Sequence, residues 1–544
     1  MARLPKAFNE PVKTFLPESP ERLMLETELK RQMSMVAEIP LIINGKDMKT
    51  SESRSLACPH DHGHDLAMVY QASPEEIRFA IQSALAAKTS WEALPWQERA
   101  CIFLKAAELI SEKYSHVLNA ATMLGQSKNA FQAQIDATCE LVDFLRFNVQ
   151  YMEEIYSNQP SSEKGVWNRI EYRPLEGFIF ALSPFNFTAI GANLCAGPAL
   201  MGNTVVWKPS FAACLSGYYL MQIFKEAGLP DGVINFIPAE GSVAGEIVLN
   251  HKDLGGIHFT GSTKVFQTLW KKTAQNIANY RSYPRLVGET GGKDFIFVHP
   301  SASSVDQVVT AAIRGAFEYQ GQKCSAASRM YVPESLWPEI RTQITAGIKR
   351  IRMGDVLDFK NFMNAVIDRQ AFEKSKGFIQ RAEKSSSARI IAGGKTDDSK
   401  GYFIEPTIIL TQDPFYESMT EEIFGPVLTI YVYEDRQIEK MLEIVDSSSI
   451  YALTGAIFAS DRTAINYMTE KLTHSAGNFY INDKPSGAVV GRQPFGGARA
   501  SGTNDKAGSF LNLVRWTSVR TIKENFVPPE EFEYEMNLIP SKDS

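Results

Sequence analysis

The chain has 544 residues, of which 44% are hydrophobic and 22% are charged, and its formal net charge is −6. A chain of this length is too long for one hydrophobic core and predicts two or three domains. The small negative charge gives no electrostatic reason to expect nucleic acid or an anionic membrane as a partner, and no apolar run is long enough to cross a bilayer.

The first predicted element is a helix in an N-terminal arm, residues 1–40. Ser19 suits the N-cap of this helix and Pro20 its first turn. Residues 1–15 lack the apolar core of a secretory signal and are not rich in arginine. The expected location is therefore the cytoplasm, or the mitochondrial matrix if the chain is a processed eukaryotic one.

A hairpin, a capped helix and a long helical region are predicted next. Residues 41–46 contain an Asn-Gly pair, which favours a tight β-turn. The segment Ser73-Pro74-Glu75-Glu76 is a capping box with proline in the first helical turn. Apolar residues at helical spacing then continue over residues 97–150.

The pattern changes after a polar loop at 157–164 and an exposed strand at 166–172. Short apolar runs typical of strands alternate with helical segments; the strands are 177–182, 204–207, 233–236 and 256–259, and the helices are 189–200, 214–227, 243–250 and 265–278. Alternation at this spacing predicts right-handed crossovers and a parallel sheet covered on both faces. The fold class is therefore α/β, with a nucleotide-binding architecture. A second region rich in helices and strands runs over 292–502, and the tail from 528 to 544 is acidic and irregular.

Six cysteines are widely spaced, with no C-x-x-C pair, so neither a zinc site nor a disulfide framework is expected. Cys324 is the one with a distinctive setting, because Gly321, Gln322 and Lys323 precede it and a serine follows. Lys323, or the start of a helix, would favour a thiolate at Cys324. For a single cysteine, however, a small buried residue is the more common interpretation.

Other polar residues follow glycines or predicted strands. Glu289 lies in a glycine-rich bend that lets a ligand approach closely, as a general base requires. Asn186, Lys208 and the Gly261-Ser262 pair follow predicted strands, at the edge where open α/β sheets bind ligands. Each signal is weak alone, because turn asparagines, surface lysines and solvated acids are common.

The order of these segments carries more information than any one of them. Seven motifs occur in series: Pro184-Phe185-Asn186-Phe187, Trp207-Lys208-Pro209-Ser210, Phe259-Thr260-Gly261-Ser262, Glu289-Thr290-Gly291-Gly292-Lys293, Gly321-Gln322-Lys323-Cys324, Glu422-Ile423-Phe424-Gly425-Pro426 and Pro494-Phe495-Gly496-Gly497. The series resembles the aldehyde dehydrogenase superfamily over roughly residues 40–520. Longer stretches around Asn186 and Cys324, and the segments 478–483 and 491–506, are similar to the 1-pyrroline-5-carboxylate (glutamate-γ-semialdehyde) dehydrogenases in their stand-alone form.

The resemblance implies a division of the chain. It assigns residues 41–156 and 175–290 to a Rossmann-type NAD-binding domain and residues 291–505 to an α/β catalytic domain. Residues 157–174 and 506–544 form a β oligomerisation flap and a C-terminal tail, which imply a homodimer or a higher homo-oligomer. No metal, nucleic acid or membrane partner is implied.

The resemblance also implies roles for individual residues. Cys324 is the nucleophile, Asn186 contributes to the oxyanion hole, and Glu289 activates water. The cofactor, expected to be NAD, is held by Lys208, Ser210, Gly261, Ser262, Glu422 and Phe424. The substrate is held by Ser325, Gly487, Ala488, Phe187, Phe495 and Glu140.

The implied reaction is the NAD-dependent oxidation of L-glutamate γ-semialdehyde to L-glutamate through a thiohemiacetal and a thioester on Cys324, the second step of proline catabolism. Three positions depart from the family pattern, and one of them, Thr290, stands within the usual E-L-G-G type motif. Phe211 stands where many relatives have a glutamate that holds both ribose hydroxyls, which leaves NADP open as a cofactor. Ala488 stands where some relatives have serine. The alternatives are a dehydrogenase of broad aldehyde range, an acylating enzyme that uses coenzyme A, and a non-catalytic protein on this fold.

Overall fold

The structure is a computed structural model, and it describes residues 4–537. The N-terminal half contains the strands β1 (Ala37–Ile39), β2 (Leu41–Ile43), β3 (Lys46–Met48), β4 (Ser53–Cys58), β5 (Asp61–Tyr70), β6 (Val166–Pro174), β7 (Phe178–Leu182), β8 (Val205–Lys208), β9 (Ile234–Phe236), β10 (Leu254–Thr260) and β11 (Arg285–Glu289). Its α-helices are α1 (Pro20–Met33), α2 (Pro74–Ala93), α3 (Trp96–Leu109), α4 (Ser115–Gln126), α5 (Ala130–Ala133), α6 (Leu141–Ser157), α7 (Thr188–Leu200), α8 (Cys214–Ala227), α9 (Gly241–Leu249) and α10 (Thr263–Gln275).

The C-terminal half contains the strands β12 (Asp294–Val298), β13 (Ala327–Pro333), β14 (Ala388–Ala392), β15 (Thr396–Asp397), β16 (Phe403–Ile404), β17 (Thr407–Thr411), β18 (Val427–Tyr433), β19 (Tyr451–Ala452), β20 (Thr454–Phe458), β21 (Asn478–Ile481), β22 (Ala498–Arg499) and β23 (Thr517–Asn525). Its α-helices are α11 (Val305–Phe317), α12 (Trp337–Arg350), α13 (Arg369–Lys384), α14 (Glu417–Thr420), α15 (Ile438–Ser447), α16 (Arg462–Lys471) and α17 (Phe510–Val514). Across residues 4–537, no helix is long and apolar enough to span a membrane.

The first large sheet has the strand order β11-β10-β7-β8-β9-β2-β3. The five strands from β11 to β9 are parallel, and β2 and β3 add an antiparallel edge. Asn44 and Gly45 join β2 to β3 with φ values of 53° and 69°, the left-handed conformation that an Asn-Gly hairpin turn requires. The alternation in the sequence therefore gives the predicted parallel sheet.

Both faces of this sheet are buried, because neighbouring residues of each strand point to opposite sides. In β7, Ile179 and Ala181 join one hydrophobic cluster, whereas Phe178 and Phe180 join another. The first cluster contains residues of α3, α6, α7 and α8, and the second contains residues of α2, α9 and α10. Burial on both faces explains why the sequence of β7 is a continuous apolar run.

The second large sheet has the order β14-β17-β18-β13-β12-β20-β21 and is parallel apart from β14. Its central strand β13 lies between β18 and β12. Because α11 and the short segment 318–326 connect β12 to β13, the carboxyl end of β12 and the start of β13 are linked through the Cys324 region.

A two-stranded antiparallel ribbon pairs β6 with β23 over nine residue pairs, from Thr517 opposite Pro174 to Asn525 opposite Val166. The strand predicted at 166–172 is thus present and extends to Pro174. The tail is exposed as far as residue 537; the rest of the predicted irregular tail lies outside the described residues.

Local capping signals in the sequence match the helices that follow them. Ser19 caps α1, and Ser73 forms the expected capping box with Glu76 at the start of α2. The helical interval 97–150 is less regular than the sequence predicts. Turns of π-helix at Ile110–Tyr114 and Gln134–Glu140 interrupt it, and such turns often occur at functional sites.

Candidate active site

Cys324 lies in a tight reversal of the chain between α11 and β13. Tyr319 and Gln320 have φ values of 52° and 55°, a left-handed conformation that is uncommon for residues other than glycine. The two devices predicted to favour a thiolate are absent, because β13, a strand, follows Cys324 and the Lys323 ammonium lies 3.1 Å from the Glu318 carboxylate. The buried, strained reversal fixes the thiol in place instead.

The electrostatic surroundings of Cys324 oppose ionisation. Burial raises the pKa of the Cys324 thiol well above its usual value, and the negative charges of Asp294, Glu289 and Glu422 raise it further. The resting group is therefore a thiol, and its attack on a substrate needs a base to accept the proton.

Glu289 ends β11 and lies against the segment that contains Gly496 and Gly497. Burial raises the pKa of Glu289 well above its usual value, whereas the Lys506 ammonium and the Gly497 amide favour the ionised form. One carboxylate oxygen, Oε2, is buried without a hydrogen-bond partner. A buried carboxyl group with a raised pKa and a free oxygen has the properties that a general base needs near neutral pH.

The two glycines after Glu289 are required by close packing. A Cβ on Gly291 would lie 2.7 Å from the Glu422 carboxylate, and a Cβ on Gly292 would lie 2.2 Å from the Cys324 carbonyl oxygen. The Gly292 amide donates a 2.9 Å hydrogen bond to Glu422 Oε1. This bend therefore joins the strand that ends at Glu289 to both the thiol loop and Glu422.

Asn186 follows β7 and faces the same loop. Its side-chain amide is buried and donates a hydrogen bond of 3.1 Å to the Gln322 carbonyl oxygen, two residues before Cys324. An amide N–H so close to the thiol loop is suited to stabilising a negative oxygen that forms on a carbon attached to sulfur.

A buried ion pair lies at the start of α7, the helix that follows Asn186, and sequence reasoning missed it. Lys128 Nζ lies 2.7 Å from Asp136 Oδ2, and both side chains are almost completely buried. The Asp136 carboxylate also accepts the backbone N–H groups of Thr188 and Ala189, at 3.0 and 2.9 Å, in the first turn of α7. No local motif marks this pair, since an Asp in a helical segment and a nearby Lys usually lie on a solvated surface.

A cavity of ≈ 860 Å³ opens beside Cys324. Eight of the predicted site residues line it: Asn186, Lys208, Ser210, Gly261, Ser262, Cys324, Glu422 and Phe424. Its volume falls within the roughly 300–1,000 Å³ of small-molecule and cofactor sites. The cavity lies at the carboxyl ends of β7, β8 and β10, the edge at which open α/β sheets bind nucleotides.

The lining of this cavity fits a dinucleotide. The first turns of α9 and α10 border it, and Ser262 is the N-cap of α10, so that helix N-termini are available to a pyrophosphate. Lys208 supplies a positive charge, and burial lowers the pKa of its ammonium. Phe424, at φ 61°, packs edge-on against Phe185 at 5.8 Å between ring centroids, which gives the end near Cys324 an aromatic wall.

Phe211, one of the departures from the family pattern, also lines the cavity. The Arg54 guanidinium lies 4.4 Å from the centre of its ring and 2.8 Å from Glu240. Sequence reasoning missed Arg54, since β4 is more than 150 positions away from Phe211 in the printed sequence.

The residues predicted to hold the substrate lie on four segments. Glu140 ends the π-helical turn at Gln134–Glu140, and burial raises the pKa of Glu140 to about 8. Its charge also contributes to the raised pKa of Cys324, so that the two groups are neighbours. Phe187 lies beside Asn186, with Lys128 Nζ 4.0 Å from its ring centre.

The other predicted substrate residues are Ser325, which is buried next to the thiol, and Gly487, Ala488 and Phe495. The last three lie on one irregular segment between β21 and β22. Lys484 stabilises this segment by donating a 2.9 Å hydrogen bond to the Ser486 carbonyl oxygen.

Comparison with known proteins gives a consistent result. A profile of the aldehyde dehydrogenase family matches residues 47–522. The chain is 51% identical to a mitochondrial delta-1-pyrroline-5-carboxylate dehydrogenase of Dictyostelium discoideum, with 99% of this chain and 97% of the relative covered, and 48% identical to the human mitochondrial protein of that name, with 97% and 94% covered. The crystal structure of the delta-pyrroline-5-carboxylate dehydrogenase from Mycobacterium tuberculosis bound with NAD superposes with a TM-score of 0.96 at 48% identity, covering 99% of each chain.

Proposed function

The chain belongs to the aldehyde dehydrogenase family, and we propose that it oxidises L-glutamate γ-semialdehyde, the open form of 1-pyrroline-5-carboxylate, to L-glutamate with NAD. The observation that carries this proposal is the position of Cys324 in the lining of a dinucleotide-sized cavity that Asn186 also lines, with the Glu289 carboxyl group close enough to raise the pKa of the thiol. The names of the relatives and the fold class agree with it. In the cell, this reaction is the second step of proline catabolism.

The first covalent step is attack of Cys324 Sγ on the aldehyde carbon. Because the resting thiol has a raised pKa, its proton must pass to a base. Glu289 and Asp294 are both neighbouring carboxylates with a free oxygen, and we assign this role to Glu289. The aldehyde oxygen becomes an oxyanion, which Asn186 stabilises by donating a hydrogen bond. Loss of one such donor typically slows a reaction by about 10²–10³-fold.

NAD, when bound, supplies the acceptor for the hydride that leaves the thiohemiacetal. Lys208 and Ser210 would hold its adenosine ribose, Gly261 and Ser262 its pyrophosphate, and Glu422 its nicotinamide ribose, with Phe424 beside the nicotinamide ring. These eight positions, counted with Asn186 and Cys324, all line the one cavity.

Glu289 then acts a second time, after it has released the proton taken from Cys324 to solvent. It removes a proton from water, the resulting hydroxide attacks the thioester carbon, and the bond to Cys324 Sγ breaks. The Cys324 thiolate recovers a proton from Glu289, and the product loses its own proton to solvent as a carboxylate. This deacylating base favours hydrolysis over acyl transfer to coenzyme A.

The substrate carries a carboxylate and an ammonium at its far end, and these need polar partners away from the thiol. Ser325, Gly487 and Ala488 would bind these groups, the last two through backbone amides. Phe187 and Phe495 would clamp the aliphatic stem between them.

We further infer that the chain forms a homodimer or a higher homo-oligomer through the β6–β23 ribbon. Trp167, Val519 and Val527 expose 50%, 46% and 75% of their surfaces on or next to this ribbon. The reaction would take place in the cytoplasm or, as in the two named relatives, in mitochondria.

The experiment is to measure NADH production with 1-pyrroline-5-carboxylate, propanal and succinic semialdehyde. We expect a strong preference for the first substrate, and we expect Cys324→Ser to abolish turnover of all three. Cys101→Ser is the matched control, because Cys101 is an exposed cysteine on α3, away from the cavity. Equal turnover of all three aldehydes would leave only a broad-range dehydrogenase.

A further inference from the structure

The first part of the N-terminal arm, residues 4–17, lies across α6 and reaches the substrate loop, which we define as residues 484–495. This loop carries Gly487, Ala488 and Phe495. It contains no helix or strand, and the backbone of Phe495 at its end pairs with Ala507 in an isolated antiparallel bridge. Before that bridge, side-chain contacts rather than a regular ladder of hydrogen bonds hold the loop in place.

Asn9 joins the substrate loop to α6. Its side-chain Nδ2 donates hydrogen bonds to Asp143 Oδ2 at 2.7 Å and to the Val490 carbonyl oxygen at 2.8 Å. Its Oδ1 accepts a hydrogen bond of 3.2 Å from Arg492 Nε. One amide group therefore uses both donors and its acceptor to connect the helix with two points of the loop.

Glu10 fixes the arm at this place. Its backbone N–H donates to Asp143 Oδ1 at 2.7 Å, and its buried carboxylate lies 2.8 Å from the Arg146 guanidinium. The same carboxylate accepts a hydrogen bond of 2.7 Å from Ser111. These partners lie on α6 and on the π-helical turn before α4, so that the residue next to Asn9 is anchored to two helical segments.

The helix that Asn9 contacts also continues directly from the segment that carries Glu140. Asp143 lies three residues after Glu140, which places the two side chains on the same side of the helix, one turn apart. Asn9 thus connects the helix that continues from Glu140 with the loop that carries Gly487 and Ala488.

The loop is tightly packed at the same point. Gly491 has φ 82°, and a Cβ there would lie 2.4 Å from the ring of Phe147 on α6. Gln493 closes the turn, since its Oε1 accepts the Val489 N–H at 3.0 Å. The loop therefore has one compact shape, and its distance from α6 depends on Phe147 and Asn9.

We propose that Asn9 is a positioning residue that sets the width of the substrate site between α6 and the substrate loop, and thereby selects for an aldehyde with charged groups at its far end. This inference rests on the proposed function. Asn9 itself does not touch the reacting atoms. A small aldehyde such as propanal makes no use of the far end, so that its turnover is independent of the loop's position.

The test compares wild type with Asn9→Ala, measuring kcat and KM for glutamate γ-semialdehyde and for propanal at saturating NAD. We expect KM for the semialdehyde to rise about tenfold, in line with the loss of one or two hydrogen bonds, with kcat and the KM for propanal within twofold of wild type. Asn9→Asp keeps the size of the side chain but removes its donors and faces Asp143 with a like charge, and we expect the same change.

Val12→Ala is the matched control on the same arm, because Val12 is 47% exposed; it should leave both aldehydes unaffected. An unchanged KM for the semialdehyde in Asn9→Ala would overturn the proposal, and so would a parallel loss with both aldehydes, which is what a general structural role produces. A wild-type enzyme without preference for the semialdehyde would contradict the proposed function itself, and that outcome is visible before any variant is compared.

Discussion

Glu289 acts as a base only in its ionised form, and burial opposes that form. Lys506 is the nearby positive charge that lowers the pKa of Glu289, and its own ammonium donates to the carbonyl oxygens of Gly477 and Gly496 at 2.7 and 2.9 Å. The same lysine therefore sets the pKa of the base and holds the segment against which the base packs.

Replacing Lys506 by methionine should move the pH dependence of turnover. Without the ammonium, the pKa of Glu289 rises further, so that the ionised base appears only at higher pH. We expect the acid limb of the kcat profile for Lys506→Met to shift towards alkaline pH, because a positive charge near a buried carboxyl group favours its ionised form. Steady-state assays across pH give this limb directly.

Lys384→Met is the control for Lys506, since Lys384 is exposed at the end of α13. Its pH profile should match that of wild type. If the acid limb of the kcat profile for Lys506→Met lies at the same pH as in wild type, Lys506 does not control the ionisation of Glu289.

A second prediction concerns the replacement of Glu289 by glutamine. Glutamine cannot accept a proton from water, so that the thioester on Cys324 should form slowly and then persist. After the Glu289→Gln variant is mixed with aldehyde and NAD, intact-protein mass spectrometry should show the added mass of the acyl group. The Cys324→Ser variant should show no added mass under the same conditions. If Glu289→Gln forms one equivalent of NADH but carries no added mass, Glu289 is not the deacylating base.

At the scale of elements, α7 presents the Asn186–Phe187 segment to the thiol, and Asp136 anchors the first turn of α7. The carboxylate caps two backbone N–H groups and also pairs with buried Lys128. Since a helix N-terminus favours a negative charge, the ion pair and the helix stabilise each other.

Asp136→Asn should therefore lower both stability and turnover. It leaves the Lys128 ammonium buried without a carboxylate, and breaking a buried pair in this way typically costs about 3–5 kcal/mol. We expect the free energy of unfolding to fall by roughly that amount and kcat to fall at least tenfold, because Asn186 loses its support. Urea unfolding and steady-state kinetics measure the two effects.

The double variant Lys128→Met/Asp136→Asn serves as the control for the unpaired charge. It removes the ammonium as well, so that it should be more stable than Asp136→Asn alone. A double variant that is less stable than either single variant would show that the unpaired charge is not the cause.

The elements themselves were largely predictable from the sequence, because capping residues and period-two or period-3.6 patterns act locally. The Ser73 box, the Asn44-Gly45 turn and the alternation of strands and helices were all confirmed. The π-helical turn at Gln134–Glu140 was not predicted, since its apolar spacing differs little from that of an α-helix. Tertiary packing decides such a turn.

Some of the site residues could likewise be predicted from the sequence, and others could not. The positions of Cys324, Glu289 and Asn186 followed from ordered motifs, and the structure places these residues together. Their assigned roles stay predictions. Lys128 and Asn9 gave no local signal. The Asp136 partner of Lys128 lies 8 positions away and the Arg492 partner of Asn9 lies 483 positions away, and no sequence motif relates either residue to its partner.

At the scale of the whole molecule, the ribbon of β6 and β23 is the element with the least support from the rest of the chain. A two-stranded ribbon alone is marginally stable in water. The outer edge of β6 is covered, because the Gln159 side chain bonds to the backbone of Ile170 at 2.8 and 3.1 Å. Along the part of the chain that the structure describes, no further strand pairs with the outer edge of β23.

An open edge of nine residues is a template for another chain, and natural proteins cover or block such edges. A second copy of this chain would cover it by adding a strand, which agrees with the proposed homodimer. Exposed Val519 on β23 lies in the region that such a strand would contact. A lysine there should weaken association, because it places a hydrated charge in the contact.

We therefore expect the wild-type chain to sediment as a dimer or a larger assembly, and Val519→Lys to shift towards monomer with at least a tenfold higher dissociation constant. Ile450→Lys is the control, because Ile450 is also exposed, at 63%, but lies outside the ribbon; it should sediment as wild type. Sedimentation velocity over a range of concentrations distinguishes these outcomes. A monomeric wild type, or equal effects of both lysines, would mean that the β23 edge is not the association surface and that the ribbon is stabilised within one chain.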